Sequence, residues 1–126
     1  MGTNGSYGRA TRMSTAAKRK GSKAEADAVK WLKVNGFPYA DRRIAGAQLD
    51  KGDISGVNGV TIEVKDHVRM DLSAWVKELE VEIKNDNAWT GTVLHKRKGK
   101  SDVGEWYCTM PASIWLALIR KAMGET

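Results

Sequence analysis

The chain has 126 residues, of which 21 are Lys or Arg and 15 are Asp or Glu, so its formal net charge is +6. This length is typical of a single domain with a sizeable core, and the excess of positive charge favours a polyanionic partner. The single cysteine, Cys108, excludes an intramolecular disulfide and fits a reducing compartment. No apolar run has membrane-spanning length and no signal peptide is visible, so we expect a cytoplasmic protein without membrane contact. The sequence also has no Walker loop, zinc-ligand set or serine-histidine triad, and we expect no organic cofactor.

Residues 1–21 predict a flexible basic tail, because they are rich in Gly, Ser and Thr and contain no acid. Residues 22–126 are predicted to form one domain. Its predicted elements are, in chain order, a helix at 22–35, a strand at 39–44, a hairpin over 52–65, a helix at 72–85, strands at 92–96 and 105–110, and a helix at 113–123. This order, αβββαββα, predicts an α/β sandwich in which helices flank a mixed central β-sheet.

The first predicted helix carries an acid on its apolar stripe. Ser22 is its expected N-cap and Gly36 its expected stop. Glu25, Val29 and Leu32 fall at positions i, i+4 and i+7. A buried carboxylate needs a partner, such as a metal-bound water or a basic side chain, which makes Glu25 a candidate catalytic residue. The alternative is an acid favoured near a helix N-terminus by the helix dipole.

The predicted hairpin has two possible registers. A three-residue loop pairs Ile54 with Ile62 on one face and brings Asp53 opposite Glu63 on the other. A two-residue loop would leave the two acids on opposite faces. The longer loop also puts Gly59 where a type I turn with a bulge needs a left-handed residue. We therefore predict the three-residue loop.

In this register, two carboxylates and a lysine converge, because Glu63 and Lys65 share a face of the same strand. Neighbouring carboxylates repel each other, and a divalent cation between them removes the repulsion. Mg²⁺ prefers such oxygen ligands and keeps several waters, which leaves room for a phosphate. Lys65 would then orient a water or neutralise charge on the phosphate. The alternative is a Glu–Lys pair on a solvated sheet face, stabilising by a few tenths of a kcal/mol.

The helix predicted at 72–85 has a buried stripe of apolar residues, namely Leu72, Val76, Leu79 and Ile83. Glu78 and Glu82 flank that stripe one turn apart. Solvation is the simpler interpretation of these two glutamates and the one that we favour.

Basic residues are predicted to form a track for phosphates on both sides of the hairpin. The turn after the fourth strand can instead be a solubilising hairpin tip. The predicted DNA-binding residues are Lys18, Arg19, Lys20, Arg42, Arg43, Lys96, Arg97, Lys98 and Lys100.

Asp53 followed by Glu63-Val64-Lys65 resembles the D…(D/E)xK core of the PD-(D/E)XK nuclease superfamily. From about residue 18 to the end, the chain is similar to the Holliday-junction resolvase branch of archaeal and phage type. The further matching segments are Lys20-Gly21, Glu25, Gly36-Phe37, Gly52-Asp53-Ile54, Lys96-Arg97-Lys98-Gly99 and Trp106-Tyr107. The chain departs from the pattern at Gly52, where the family name has proline, and in the loop at 45–48, which lacks the serine of archaeal resolvases.

The resemblance implies a restriction-endonuclease-like sandwich and a magnesium-dependent endonuclease that cuts four-way DNA junctions, with Mn²⁺ as a substitute ion. It implies that Asp53, Glu63 and the Val64 carbonyl hold the metal, and that Lys65 serves the water and the phosphate. Because superfamily members often have a polar residue of the second helix beside the metal, it also makes Glu78 a candidate for supporting the site without binding the ion. It also implies a homodimer, because paired cuts need two sites. The predicted helix that carries Trp115 is our first candidate for the dimer surface.

Two other functions remain open. One is a different nuclease of the same superfamily, such as a nicking repair enzyme or a restriction-type enzyme. The other is a catalytically silent DNA-binding protein that uses only its basic surface. Clustered acids facing phosphates argue against the second, because a pure binder has no need of them.

Overall fold

The computed structural model describes residues 14–44 and 49–125. Its elements, in chain order, are α1 (Thr15–Val34), β1 (Asp41–Arg42), β2 (Ile54–Ser55), β3 (Val60–Lys65), α2 (Leu72–Asp86), β4 (Thr90–His95), a short 3-10 helix (Val103–Glu105), β5 (Tyr107–Thr109) and α3 (Ala112–Ala122). Within the described ranges, the predicted order of helices and strands is confirmed.

The five described strands form one open sheet in the order β1-β2-β3-β4-β5. β3 and β4 are parallel and are joined through α2, whereas every other neighbouring pair is antiparallel. A parallel pair needs such a crossover connection, and a helix usually provides it. The prediction of an α/β architecture with a mixed sheet is therefore confirmed.

The sheet lies between two helices, and each of its faces has its own core. On one face, Ala28 and Leu32 of α1 pack with Ile54, Ile62 and Val64. On the other face, Trp75 and Leu79 of α2 pack with Val93 of β4. Because side chains alternate along a strand, the odd-numbered residues of β3 face α2. Glu63, which pairs with Val93, therefore lies beneath α2.

The hairpin has the predicted register, since Ile54 pairs with Ile62. The Val60 amide donates to the Val57 carbonyl at 3.1 Å, which closes the three-residue loop. Gly59 has a φ of 79°, the left-handed conformation that the bulge requires. Gly56 has a φ of 86°, and a Cβ there would lie 1.9 Å from the Tyr39 carbonyl oxygen, so only glycine fits.

The predicted start of the first helix is wrong. α1 begins at Thr15, seven residues before position 22, and Ser14 caps it by accepting a hydrogen bond from the Ala17 amide. Gly21 lies inside the helix, where it costs about 1 kcal/mol relative to Ala. Lys18, Arg19 and Lys20 therefore lie on a helix and not in a flexible tail. The part of the predicted tail at residues 1–13 lies outside the described residues.

Two strands are shorter than predicted. β1 begins only at Asp41, because the Ala40 amide donates to the Phe37 carbonyl at 3.1 Å and closes a turn there. The strand predicted at 105–110 is preceded by the 3-10 helix, which the Asp102 side chain caps through the Gly104 amide. The loop at 45–48 lies outside the described residues.

Candidate functional site

Asp53 is fixed at the edge of β3 by two hydrogen bonds. Its amide donates to the Ile62 carbonyl at 2.9 Å, and its Oδ2 accepts from the Val64 amide at 2.7 Å. The N–H and C=O groups of one strand residue leave the strand on the same side. The Val64 carbonyl therefore leaves β3 on the side on which Asp53 lies, which is compatible with its predicted role as a metal ligand.

The structure brings the predicted catalytic residues to one cavity. This cavity has a volume of about 440 Å³ and lies between α1 and the end of β3. Its lining residues are Ala17, Lys20, Gly21, Glu25, Asp53, Glu63, Val64, Lys65, Asp66, His67 and Val68. Glu25 and Lys65, which are 40 positions apart in the sequence, thus share one space.

Two of the four carboxyls that line the cavity, those of Asp53 and Glu63, are hard to ionise. Burial raises the pKa of Asp53 to about 6, although the Val64 amide opposes this rise. Burial, followed by the nearby Asp53 charge, raises the pKa of Glu63 to about 8. Glu63 is only 4% exposed, and its Oε1 is buried without a hydrogen-bond partner among the described residues. A cation beside these groups would stabilise their charged forms.

Lys65 provides positive charge between two acids. Its Nζ lies 3.1 Å from Oε2 of Glu63 and 2.9 Å from Oε1 of Glu78. Burial lowers the pKa of Lys65, but the hydrogen bonds and charges of Glu78 and Glu63 outweigh burial and raise the pKa above its ordinary value. Lys65 therefore stays protonated near neutral pH. It can stabilise negative charge but is unsuited to accept a proton.

Glu25 reaches the same cavity but already has a basic partner. Its Oε1 accepts a hydrogen bond from Nε of Arg42 at 3.0 Å. Arg42 also donates to the Ser22 hydroxyl at 3.3 Å, which ties β1 to α1. The sequence analysis predicts that Glu25 has either a metal-bound water or a basic side chain as its partner. In the structure, the basic side chain of Arg42 is that partner.

A second acidic group adjoins the cavity and was missed by the sequence analysis. Asp50, Glu78 and Glu82 each present a carboxylate oxygen, and these atoms lie within 4.8 Å of one another, so the three residues can hold a metal ion. Glu82 is 1% exposed, and the expectation that it is solvated is wrong. Burial, followed by the hydrogen bonds that its protonated form shares with Asp50 and Glu63, raises the pKa of Glu82 to about 11.

One sequence signal could have located Glu82. Trp75, Leu79 and Glu82 fall at positions i, i+4 and i+7 of α2, and all three are buried. The predicted buried stripe is therefore only partly correct: Leu79 is buried, Val76 and Ile83 are half-buried, and Leu72 is 40% exposed because the buried face of α2 includes Trp75 and Glu82 instead. Asp50 lies in the segment before the hairpin, where no periodicity marks it.

The predicted DNA-binding residues differ in whether they form an ion pair with an acidic residue. Lys18, Arg19, Arg97 and Lys98 are exposed and make no ion pair with any described residue. The members with an acidic partner are Lys20 with Asp66 at 3.8 Å, Arg42 with Glu25, Arg43 with Asp86 at 2.9 Å, and Lys100 with Glu105 at 3.6 Å. Lys96 is half-buried, and its Nζ lies 6.0 Å from the centre of the Trp106 ring. The exposed residues without an ion pair thus lie on α1 and in the turn after β4.

No match was found when the chain was compared with protein-family models, with curated proteins and with solved structures. Among residues 14–44 and 49–125, no helix is both long enough and apolar enough to cross a membrane. A function for this chain therefore has to be proposed from the geometry and charge of its own residues.

Proposed function

We propose that this chain is a magnesium-dependent endonuclease that hydrolyses phosphodiesters at four-way DNA junctions, as its resemblance to PD-(D/E)XK resolvases implies. The observation that carries the proposal is the convergence of Asp53, Glu63 and Lys65 on one cavity, which Val64 also lines. Two acids, a backbone oxygen and a permanent cation are the groups that metal-assisted phosphodiester hydrolysis needs.

Asp53, Glu63 and the Val64 carbonyl would hold the Mg²⁺ ion, or Mn²⁺ in its place. The unpartnered buried Oε1 of Glu63 supports this assignment, since a buried acceptor without a donor is destabilising unless a cation or a proton satisfies it. A divalent ion held by these residues would supply Lewis-acid chemistry, polarising a phosphate oxygen and making a water more acidic.

Lys65 would stabilise the negative charge that develops on the phosphate oxygens during hydrolysis. Its pairing with Glu63 and Glu78 supports this role, because these contacts keep the ammonium both charged and positioned at the cavity. Glu78 thereby acts as a positioning residue for Lys65.

The DNA would follow the basic surface on either side of the cavity. Lys18 and Arg19 on α1, with Lys20 at the cavity wall, supply charge on one side. Arg97 and Lys98 supply charge at the turn after β4. Such contacts fix the backbone of the DNA without reading its sequence, which suits an enzyme that selects a branched structure.

A homodimer would supply the two sites that paired cuts require, since each chain has one Asp53–Glu63–Lys65 set. An exposed apolar face supports this arrangement. α3 contains no buried residue, Trp115 and Leu116 on it are 54% and 43% exposed, and the nearby Trp89 is 47% exposed. Aromatic residues of this kind are enriched at protein interfaces. We therefore keep α3 as the proposed dimer surface.

An assay on labelled synthetic DNA distinguishes the three functions. A junction resolvase will cut a four-way junction in Mg²⁺ far faster than the matched linear duplex, whereas another nuclease of the superfamily will cut the duplex or a nicked substrate comparably. A silent DNA-binding protein will shift both substrates on a gel and cut neither. Asp53→Asn removes a proposed ligand, and Glu80→Gln removes an exposed carboxylate from α2 as the matched control. Absence of cleavage by the wild-type protein in Mg²⁺ and Mn²⁺ would overturn the proposal.

A further inference from the structure

We propose that Asp50, Glu78 and Glu82, here called the α2 acidic cluster, bind a second divalent cation of the oxygen-preferring class. Their carboxylate oxygens lie within 4.8 Å of one another. Mg²⁺ binds oxygen at about 2.0–2.1 Å and Ca²⁺ at about 2.3–2.6 Å. Two ligands on opposite sides of such an ion are therefore about 4–5 Å apart, and the upper limit of 4.8 Å on the oxygen separations of this cluster is compatible with that span.

Glu82 is the strongest reason to infer a ligand. It is 1% exposed, both of its carboxylate oxygens are buried, and no N–H or hydroxyl group of the described residues donates to them, since the adjoining groups are the carboxyls of Asp50 and Glu63. The neighbouring Glu63 is 4% exposed and also has a buried oxygen without a donor. Buried carboxylates with no donor are strongly destabilising, so the site requires a positive species.

The side chains of the described residues do not supply enough positive charge. Lys65 contacts Glu63 and Glu78, but Asp50 and Glu82 form no ion pair with any described residue. Of the three cluster carboxyls, only Glu78 therefore has an ammonium partner among the described residues. A divalent cation between Asp50, Glu78 and Glu82 would balance the charge and satisfy the two Glu82 oxygens.

The cluster is held in place from two sides. The Asp50 carbonyl accepts a hydrogen bond from Nδ2 of Asn85 at 2.9 Å, which fastens the segment before the hairpin to α2. Oδ1 of Asp50 accepts from the Gly52 amide at 3.0 Å, and its other carboxylate oxygen remains available. Glu78 and Glu82 are one turn apart on α2 and share one face.

This site differs from the one proposed for catalysis. Asp53 and the Val64 carbonyl belong to the catalytic site, whereas Asp50, Glu78 and Glu82 belong to the cluster, and Glu63 lies between Asp53 and Glu82. Cation binding at the cluster needs no nuclease activity. Its test can therefore fail or succeed separately from the proposed function.

Counting bound Mn²⁺ by electron paramagnetic resonance, with the full-length chain, tests the inference. We expect two Mn²⁺ per wild-type chain, one in Asp53→Asn, one in Asp50→Asn or Glu82→Gln, and none in the Asp53→Asn/Glu82→Gln double variant. Glu80→Gln is the matched control and should bind as the wild type does. Circular dichroism in EDTA verifies that each variant is folded, and Glu82→Gln replaces a buried carboxyl with a neutral amide of nearly equal size.

The alternative to a cation is a proton shared between Glu82 and a neighbouring carboxyl. In that case Mn²⁺ will leave the melting temperature of Asp53→Asn unchanged, and this result would overturn the inference. Unchanged Mn²⁺ binding in both Asp50→Asn and Glu82→Gln would overturn it as well. A bound ion at the cluster should instead raise the melting temperature of Asp53→Asn and not that of the double variant.

Discussion

The substitution Glu82→Gln should reduce the dependence of stability on pH. In the absence of metal, burial raises the pKa values of Glu82 and Glu63 to about 11 and about 8, against 4.5 for an ordinary glutamate. The folded state therefore keeps protons that the unfolded state releases. The stability that these protons provide is fully present below the unfolded pKa and is lost as the pH rises towards the folded pKa.

The size of the effect follows from the number of retained protons. Each extra proton in the folded state changes the free energy of unfolding by about 1.4 kcal/mol per pH unit. When the pH rises from about 6 to about 8, the proton retained by Glu82 should lower the free energy of unfolding of the wild-type protein by about 3 kcal/mol. Glu63 should lower it further. Glutamine cannot titrate. Over the same pH range, the free energy of unfolding of Glu82→Gln should therefore fall by about 3 kcal/mol less than that of the wild-type protein.

Urea unfolding in EDTA at several pH values, followed by far-UV circular dichroism, measures this difference. Glu80→Gln is the control, because Glu80 is exposed on the same helix and should leave the pH dependence unchanged. If the wild-type protein and Glu82→Gln lose stability in parallel between about pH 6 and pH 8, Glu82 does not retain a proton in the folded state. The explanation based on a buried, unpartnered carboxyl would then be refuted.

Four further outcomes are expected. Asp53→Asn and Glu63→Gln should each abolish cleavage of labelled junctions, because each removes a proposed metal ligand. Their affinity for the junction in a gel shift should stay equal or increase, because a negative charge near the phosphate is lost. Full cleavage by either variant would contradict the ligand assignment. Ca²⁺ should support junction binding with little cleavage, because its larger and looser coordination shell positions the water poorly, and equal cleavage in EDTA would exclude a metal-dependent reaction. Replacing Lys18 and Arg19 together by alanine should reduce the slope of log affinity against log salt by about 0.9 for each phosphate that these side chains neutralise, and an unchanged slope would show that α1 does not touch the DNA. Trp115→Ala should shift the sedimentation of the protein from dimer towards monomer, whereas a wild-type chain that is monomeric on a junction and still makes paired cuts would disprove the dimer.

The hairpin could be predicted because its information is local. Ile54 and Ile62 are eight residues apart, and one face of the hairpin is apolar. A shift by one residue would turn every side chain of a strand to the wrong face, so burial alone selects the register. The left-handed Gly59 then closes the loop that suits that register.

The start of α1 shows how local signals can compete. Gly21-Ser22 is a plausible helix start, but Ser14 also has a good N-cap side chain. The residues between them include alanines and lysines, which favour the helix. Extension across Gly21 costs about 1 kcal/mol and adds more than one further turn, and the helix therefore starts at the earlier cap.

Local sequence patterns were sufficient to predict the order of elements, the hairpin register and the convergence of Asp53 and Glu63 on one cavity, because hydrophobic periodicity and turn chemistry act between near neighbours. Packing between distant segments was needed to show that Arg42 neutralises Glu25, and that Asp50 and Glu82 meet beside Glu63. The members of these two pairs lie 17 and 32 positions apart, and no period of a helix or strand relates them. Their proximity depends on how α1 and α2 pack on opposite faces of the sheet. The burial of Glu82, and with it the proton or cation that this carboxyl demands, is thus a consequence of helix packing and not of local sequence.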